Sequence, residues 1–232
     1  VPAEHGFTTN LTSSSGVAER HPAWSPDGKW IAYFSDRSGE NELTLRAADG
    51  SGEERTLTSM GAGYRYSNHW SPDSEKVVFI DQAMKINLYD LEKEKLTVVD
   101  QARYLFHGGL TGFSVDWSAD SRWFAYSRSV VTRNQAIFLY DTEEAERHQA
   151  TSGFYSDTLP AFDPDGKYLY FVTNRSFRPS YSDLDNSWIY ANSSNIVAAP
   201  LRKDVASPLA PRNDEEEVKK DDDEEDEGEG DE

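Results

Sequence analysis

A six-residue pattern recurs in this chain four times, with substitutions. Trp24-Ser25-Pro26-Asp27-Gly28-Lys29 returns as Trp70-Ser71-Pro72-Asp73-Ser74-Glu75, as Trp117-Ser118-Ala119-Asp120-Ser121-Arg122, and as Phe162-Asp163-Pro164-Asp165-Gly166-Lys167. The anchor rings Trp24, Trp70, Trp117 and Phe162 are 46, 47 and 45 residues apart. A repeat of that length must be one supersecondary unit that buries its faces against its neighbours.

The chemistry of the motif is that of a turn. Pro26 sets φ for the first corner, Asp27 can bond its own backbone, and Gly28 accepts a positive φ. Pro72, Asp73, Asp120, Pro164, Asp165 and Gly166 repeat these roles. Each unit reads as four strands. A short strand such as 21–25 leads into the anchor. The second follows the turn at 30–35, 77–81, 123–127 and 168–173. The third lies at 42–46, 86–90, 136–141 and 195–201, and the fourth, shorter and polar, at 54–58 and 96–99. The second strands are apolar at consecutive positions, as in Trp30-Ile31-Ala32-Tyr33-Phe34, which predicts cover on both faces.

Four-stranded units of about 45 residues, each covered on both sides, predict an all-β chain in which blades stack around an axis as a β-propeller. The expected blades are 21–64, 65–110, 111–156 and 157–211. Residues 1–12 read as the end of a preceding blade, because Asn10-Leu11-Thr12 echoes Thr56-Leu57-Thr58. Four blades and part of a fifth make a poor ring, so the expectation is that blades lie upstream and that this segment alone would associate or melt broadly. The propeller domain is expected to cover 1–212. Equivalent turns stand apart around such a ring, so their aspartates do not converge on a metal, and no cofactor is expected. The residues three before each anchor, His21, Ser67, Ser114 and Leu159, are the candidates for lining a central channel. Between the second and third strands of the last blade an insertion, 175–194, carries Phe177, Tyr181, Trp188 and Tyr190.

Composition excludes several classes. The formal charge is −19, with 14 acids and 2 lysines in residues 214–232 and a net −7 in the remainder. An acidic body repels a phosphate backbone, which argues against nucleic acid. The acidic tail from 213 cannot build a core and reads as a disordered linker. No run of 18 apolar residues is present, so no membrane-spanning helix is expected. There is no Cys, hence neither disulfide nor thiolate ligand. The opening Val1-Pro2-Ala3-Glu4-His5-Gly6 reads as the interior of a longer polypeptide.

Chemistry of the chain's own is not expected. Gly112-Phe113-Ser114-Val115-Asp116 lacks the second glycine of a nucleophile elbow. His107-Gly108-Gly109 reads as a turn. His5, His21, His69, His107 and His148 show no ligand spacing.

The run His21-Pro22-Ala23-Trp24-Ser25-Pro26-Asp27-Gly28-Lys29 resembles the repeat of TolB-like and tricorn-like propellers. The segments at 1–6, 10–12, 16–20, 136–141, 162–171 and 207–211 are more specifically similar to tricorn proteases, and the resemblance spans the chain. It implies a multidomain, oligomeric serine peptidase that trims oligopeptides, with a six-bladed propeller, a seven-bladed propeller and a PDZ-containing peptidase region. It implies that this chain is most of the first propeller, a gate, filter or product channel whose partners are oligopeptides and the other domains, and that the catalytic residues lie elsewhere. A cytoplasmic location is implied, with export as the alternative. The alternative function is a TolB-like protein-interaction propeller without enzymatic activity.

Overall fold

The computed structural model describes residues 8–104, 109–176, 178–182, 184–185, 187–190 and 192–210. The expected linker at 213–232, the opening residues 1–6, His107, Gly108 and Phe177 lie outside the described residues.

The strands form consecutive antiparallel meanders. The first blade is β1 (Glu19–Trp24), β2 (Trp30–Ser35), β3 (Glu42–Ala47) and β4 (Arg55–Thr56), in that spatial order. The second is β5 (Arg65–Trp70), β6 (Lys76–Asp81), β7 (Lys85–Asp90) and β8 (Lys95–Gln101). A 3-10 turn at Leu110–Gly112 precedes the third: β9 (Val115–Trp117), β10 (Trp123–Ser129), β11 (Gln135–Asp141) and β12 (Glu146–Gln149). The fourth blade pairs β13 (Asp157–Phe162) with β14 (Tyr168–Thr173) and β14 with β17 (Asn195–Pro200). Part of the insertion folds as a small hairpin, β15 (Ser180–Tyr181) and β16 (Trp188–Ile189). The fourth blade has three strands among the described residues, because residues 201–210 are turns and bends. Pro208 falls there, and proline removes a ladder donor.

The doubly apolar second strands do what their pattern requires. On β6, Val77 and Phe79 point into a core shared with Phe34, Leu43 and Leu45 of the first blade. Val78 and Ile80 point the other way, into a core with Trp117, Phe124, Tyr126 and Phe138 of the third. All four β6 residues are fully buried. Burying each such side chain stabilises by about 1.5–3 kcal/mol, so most of the cohesion lies between sheets.

The seams also carry charge. Asp100 of β8, almost fully buried, accepts hydrogen bonds from the Tyr126 hydroxyl at 2.9 Å and from Arg128 and Arg147 of the third blade. The Arg128 guanidinium lies 4.0 Å from the Phe138 ring centre. Burial, then the Asp100 charge, pushes the Tyr126 hydroxyl well above its ordinary pKa.

The innermost strands bulge. The ladder slips between Arg20 and Ala23, between Tyr66 and His69, and between Thr158 and Ala161. At the slips His21, Ser67 and Leu159 hold φ of 53°, 59° and 51°. A non-glycine residue there costs about 1–2 kcal/mol, and the bulge increases the strand's twist.

Candidate channel mouth

The first three turns are each closed by their own Ser and Asp. In the first blade the Ser25 amide donates to the Trp30 carbonyl at 2.8 Å, and the Gly28 amide to the Ser25 carbonyl at 2.9 Å. The Ser25 hydroxyl donates to Asp27 Oδ1 at 2.6 Å and accepts the Trp30 amide at 2.9 Å. Asp27 also takes the Lys29 amide at 3.0 Å. These bonds, the Ser25 hydroxyl first, hold the Asp27 carboxyl down at about 2. Ser71 with Asp73, and Ser118 with Asp120, repeat the arrangement. In the fourth blade Asp163 replaces the serine and itself receives the Lys167 amide at 3.1 Å. Pro26, Pro72 and Pro164 stand exposed on these corners.

The corners also join blades. The Asp27 amide donates to Ser74 Oγ at 3.1 Å, and the Asp73 amide to Ser121 Oγ at 2.9 Å. Ser74 and Ser121 adopt φ of 65° and 61°, a conformation that Gly28 and Gly166 hold at the same corner without strain. One anchor does likewise: the Trp70 indole donates across the seam to the Ala23 carbonyl at 3.0 Å. Trp70 and Trp117 are each 9% exposed, whereas Trp24 is 60% exposed, because no blade lies on its far side among the described residues.

Where the innermost strands end, three blades border an open depression of about 520 Å³. Trp24 and Pro26 line it from the first blade, Asn68, His69, Trp70 and Pro72 from the second, and Val115, Asp116 and Trp117 from the third. The Asn68 amide nitrogen donates to the His21 carbonyl, which sits at the bulge, at 2.8 Å. His69 Nε2 lies 3.2 Å from the Phe113 carbonyl, and burial lowers the imidazole's pKa, so it is neutral and donates there. Asp116 accepts the Phe162 amide of the fourth blade at 2.6 Å, yet burial raises its carboxyl above the ordinary range. Two buried atoms of lining residues, Asn68 Oδ1 and Trp117 Nε1, have no hydrogen-bond partner among the described residues. Both atoms are buried and neither is presented to a ligand; the aromatic face open to one is that of the exposed Trp24 ring. Among the described residues, no group of three or more His, Asp or Glu could hold a metal ion.

Three of the four residues singled out as channel lining, His21, Ser67 and Leu159, share the bulge position. Ser114 stands apart, because β9 begins only at Val115. Sequence reasoning missed Asn68, His69 and Asp116, which differ from blade to blade and so leave no repeat signal. It also missed Ser74 and Ser121, whose signal was the exchange of Gly for Ser at one motif position.

Comparison with known proteins agrees with this geometry. The crystal structure of the tricorn protease superposes with a TM-score of 0.70 at 24% identity, over 86% of this chain and 20% of that one. Tricorn protease homolog 1 of Streptomyces coelicolor is 26% identical over 217 residues, 91% of this chain and 20% of the relative. Tricorn protease of Thermoplasma volcanium is 28% identical over 191 residues, 75% of this chain and 18% of the relative. The chain thus spans about a fifth of the length of these relatives. No helix among the described residues is long and apolar enough to cross a membrane. The family model for the second β-propeller domain of tricorn protease matches residues 1–232. The resemblance in sequence implied the first propeller; the family model that matches is that of the second, and the expectation is corrected accordingly. This chain belongs to the family of the tricorn protease second β-propeller domain.

Proposed function

We propose that this propeller is a non-catalytic domain of an oligopeptide-degrading serine peptidase, and that peptides pass through or wait in its channel. The observation that carries the reading is the family match over the full chain. The depression bordered by Trp24, Asn68, His69 and Asp116 supports it, since it sets aromatic and polar residues side by side where the innermost strands end. In this reading His21, Ser67, Ser114 and Leu159 line the narrow part of the path, and 1–212 is the propeller ahead of an acidic linker. The partners are oligopeptides and the other domains of the same polypeptide, which forms a homo-oligomer in the cytoplasm.

The test is labelling of the natural polypeptide with a fluorophosphonate, followed by digestion and mass spectrometry. The label is expected on a serine outside residues 1–232. A label on any serine of this chain, or a natural polypeptide that hydrolyses no peptide, overturns the proposal.

A further inference from the structure

The seam between the third and fourth blades is built differently from the other two. At the first two seams the later blade brings a Trp anchor, Trp70 or Trp117, and a corner Ser, Ser74 or Ser121. At the third seam the anchor is Phe162 and the corner is Gly166. An indole has become a phenyl, and a hydroxymethyl has become a hydrogen. The core beneath is also small: among the described residues Ala125, Ile137, Leu169 and Phe171 are buried in it, with Leu139, Phe162, Val197 and Ala199 partly buried against them. A pocket of about 360 Å³ opens at this seam, walled by Trp123, Leu139, Phe162 and Leu201 with Ser118 and Asp120 on its rim. A Cβ added at Gly166 would meet nothing within 4 Å.

Charge marks the same place. The motif carboxylate is ion-paired in three blades, Asp27 with Lys29, Asp73 with Lys76 and Asp165 with Lys167, each at 3.1 Å. At the third corner Arg122 stands where Lys29 stands in the first, but its guanidinium turns to Asp141 at 2.6 Å and Glu143 at 3.1 Å. Among the described residues no cation lies within ion-pair distance of Asp120. Its carboxylate accepts the Ser118 hydroxyl and the Arg122 amide, and the Ser118 bond in particular keeps it ionised.

An apolar hollow beneath an unpaired carboxylate complements an apolar side chain attached to a cation. We propose that this seam is a peptide-binding site that takes an aromatic or branched amino-terminal residue, the side chain entering between Trp123 and Phe162 and the ammonium group meeting Asp120. The site is separate from the channel mouth, and its existence does not depend on whether the channel carries peptides.

The experiment titrates the full, ¹⁵N-labelled chain with phenylalanine amide and with N-acetylphenylalanine amide, following the Trp123 indole signal. Phenylalanine amide is expected to shift that signal saturably, and the acetylated amide, which keeps the ring and loses the charge, to bind about tenfold more weakly. Asp120→Asn is expected to abolish that preference while ring binding persists. Phe162→Trp with Gly166→Ser installs the residues of the sibling blades. It is expected to raise the unfolding midpoint and abolish the shift. Equal binding of the two amides, an unchanged preference in Asp120→Asn, or no saturable shift in the unaltered chain overturns the proposal. Persistent binding by the refilled variant overturns it too; should that variant not fold, the single surface change at Asp120 decides.

Discussion

Replacing Ser74 separates two effects that the corner combines. Its hydroxyl accepts the Asp27 amide of the neighbouring blade at 3.1 Å, and its backbone holds φ at 65°. Ser74→Ala removes the bond and keeps the strain. A buried bond of this kind contributes about 0.5–1.5 kcal/mol, so the loss is expected to be about 1 kcal/mol. Ser74→Gly removes the same bond but relieves a left-handed penalty of about 1 kcal/mol, less roughly 0.5 kcal/mol for the added freedom of the unfolded chain. The glycine variant should therefore lie within about 0.5 kcal/mol of the unaltered protein. Ser74→Ala should lower Tm by about 2–4 °C for a chain of this size. Urea unfolding followed by tryptophan fluorescence, with m-values compared across the three proteins, reads both numbers. If alanine proves harmless, or glycine as damaging as alanine, the corner hydroxyl is not what joins these blades.

Two further outcomes follow from the buried Asp100 and the half-buried Asp116. Asp100→Asn leaves Arg128, 12% exposed at its side chain, beside a neutral partner, and is expected to cost about 3 kcal/mol in urea unfolding. A loss below about 1 kcal/mol would show that solvent already screens the cluster. Asp116 has a folded pKa above its ordinary 3.8, so its contribution to stability is full below that value and declines as pH rises through the folded pKa. Asp116→Asn keeps an acceptor for the Phe162 amide and loses this dependence. Relative to the unaltered chain it should gain in Tm as the buffer is raised from about pH 4 to pH 7, and a flat difference curve would refute the assignment.

What could be read beforehand was local. The turn of Trp24-Ser25-Pro26-Asp27-Gly28-Lys29 is made by its own side chains, so its four copies announced the corners and the spacing announced the blades. The apolar run through Val77 to Ile80 announced burial on both faces, and β6 is buried on both. What stayed hidden depends on residues brought together across seams. Asn68 matters because a bulge frees the His21 carbonyl 47 positions earlier. Asp116 matters because the Phe162 amide lies against it, 46 positions on. Neither position repeats, so no period reveals it. The fourth blade shows the limit from the other side. Phe162 looked like a conservative variant of the Trp anchor, yet with Gly166 it borders an open pocket in its seam.

The most direct measurement on the channel reading is photo-crosslinking. A peptide substrate carrying a benzoylphenylalanine is offered to the natural polypeptide during turnover, and the adducts are mapped by mass spectrometry. Adducts at Trp24, Asn68, His69 or Asp116 are the expected result. Hydrolysis of that peptide with every adduct outside residues 1–212 would contradict a path for peptides through this propeller.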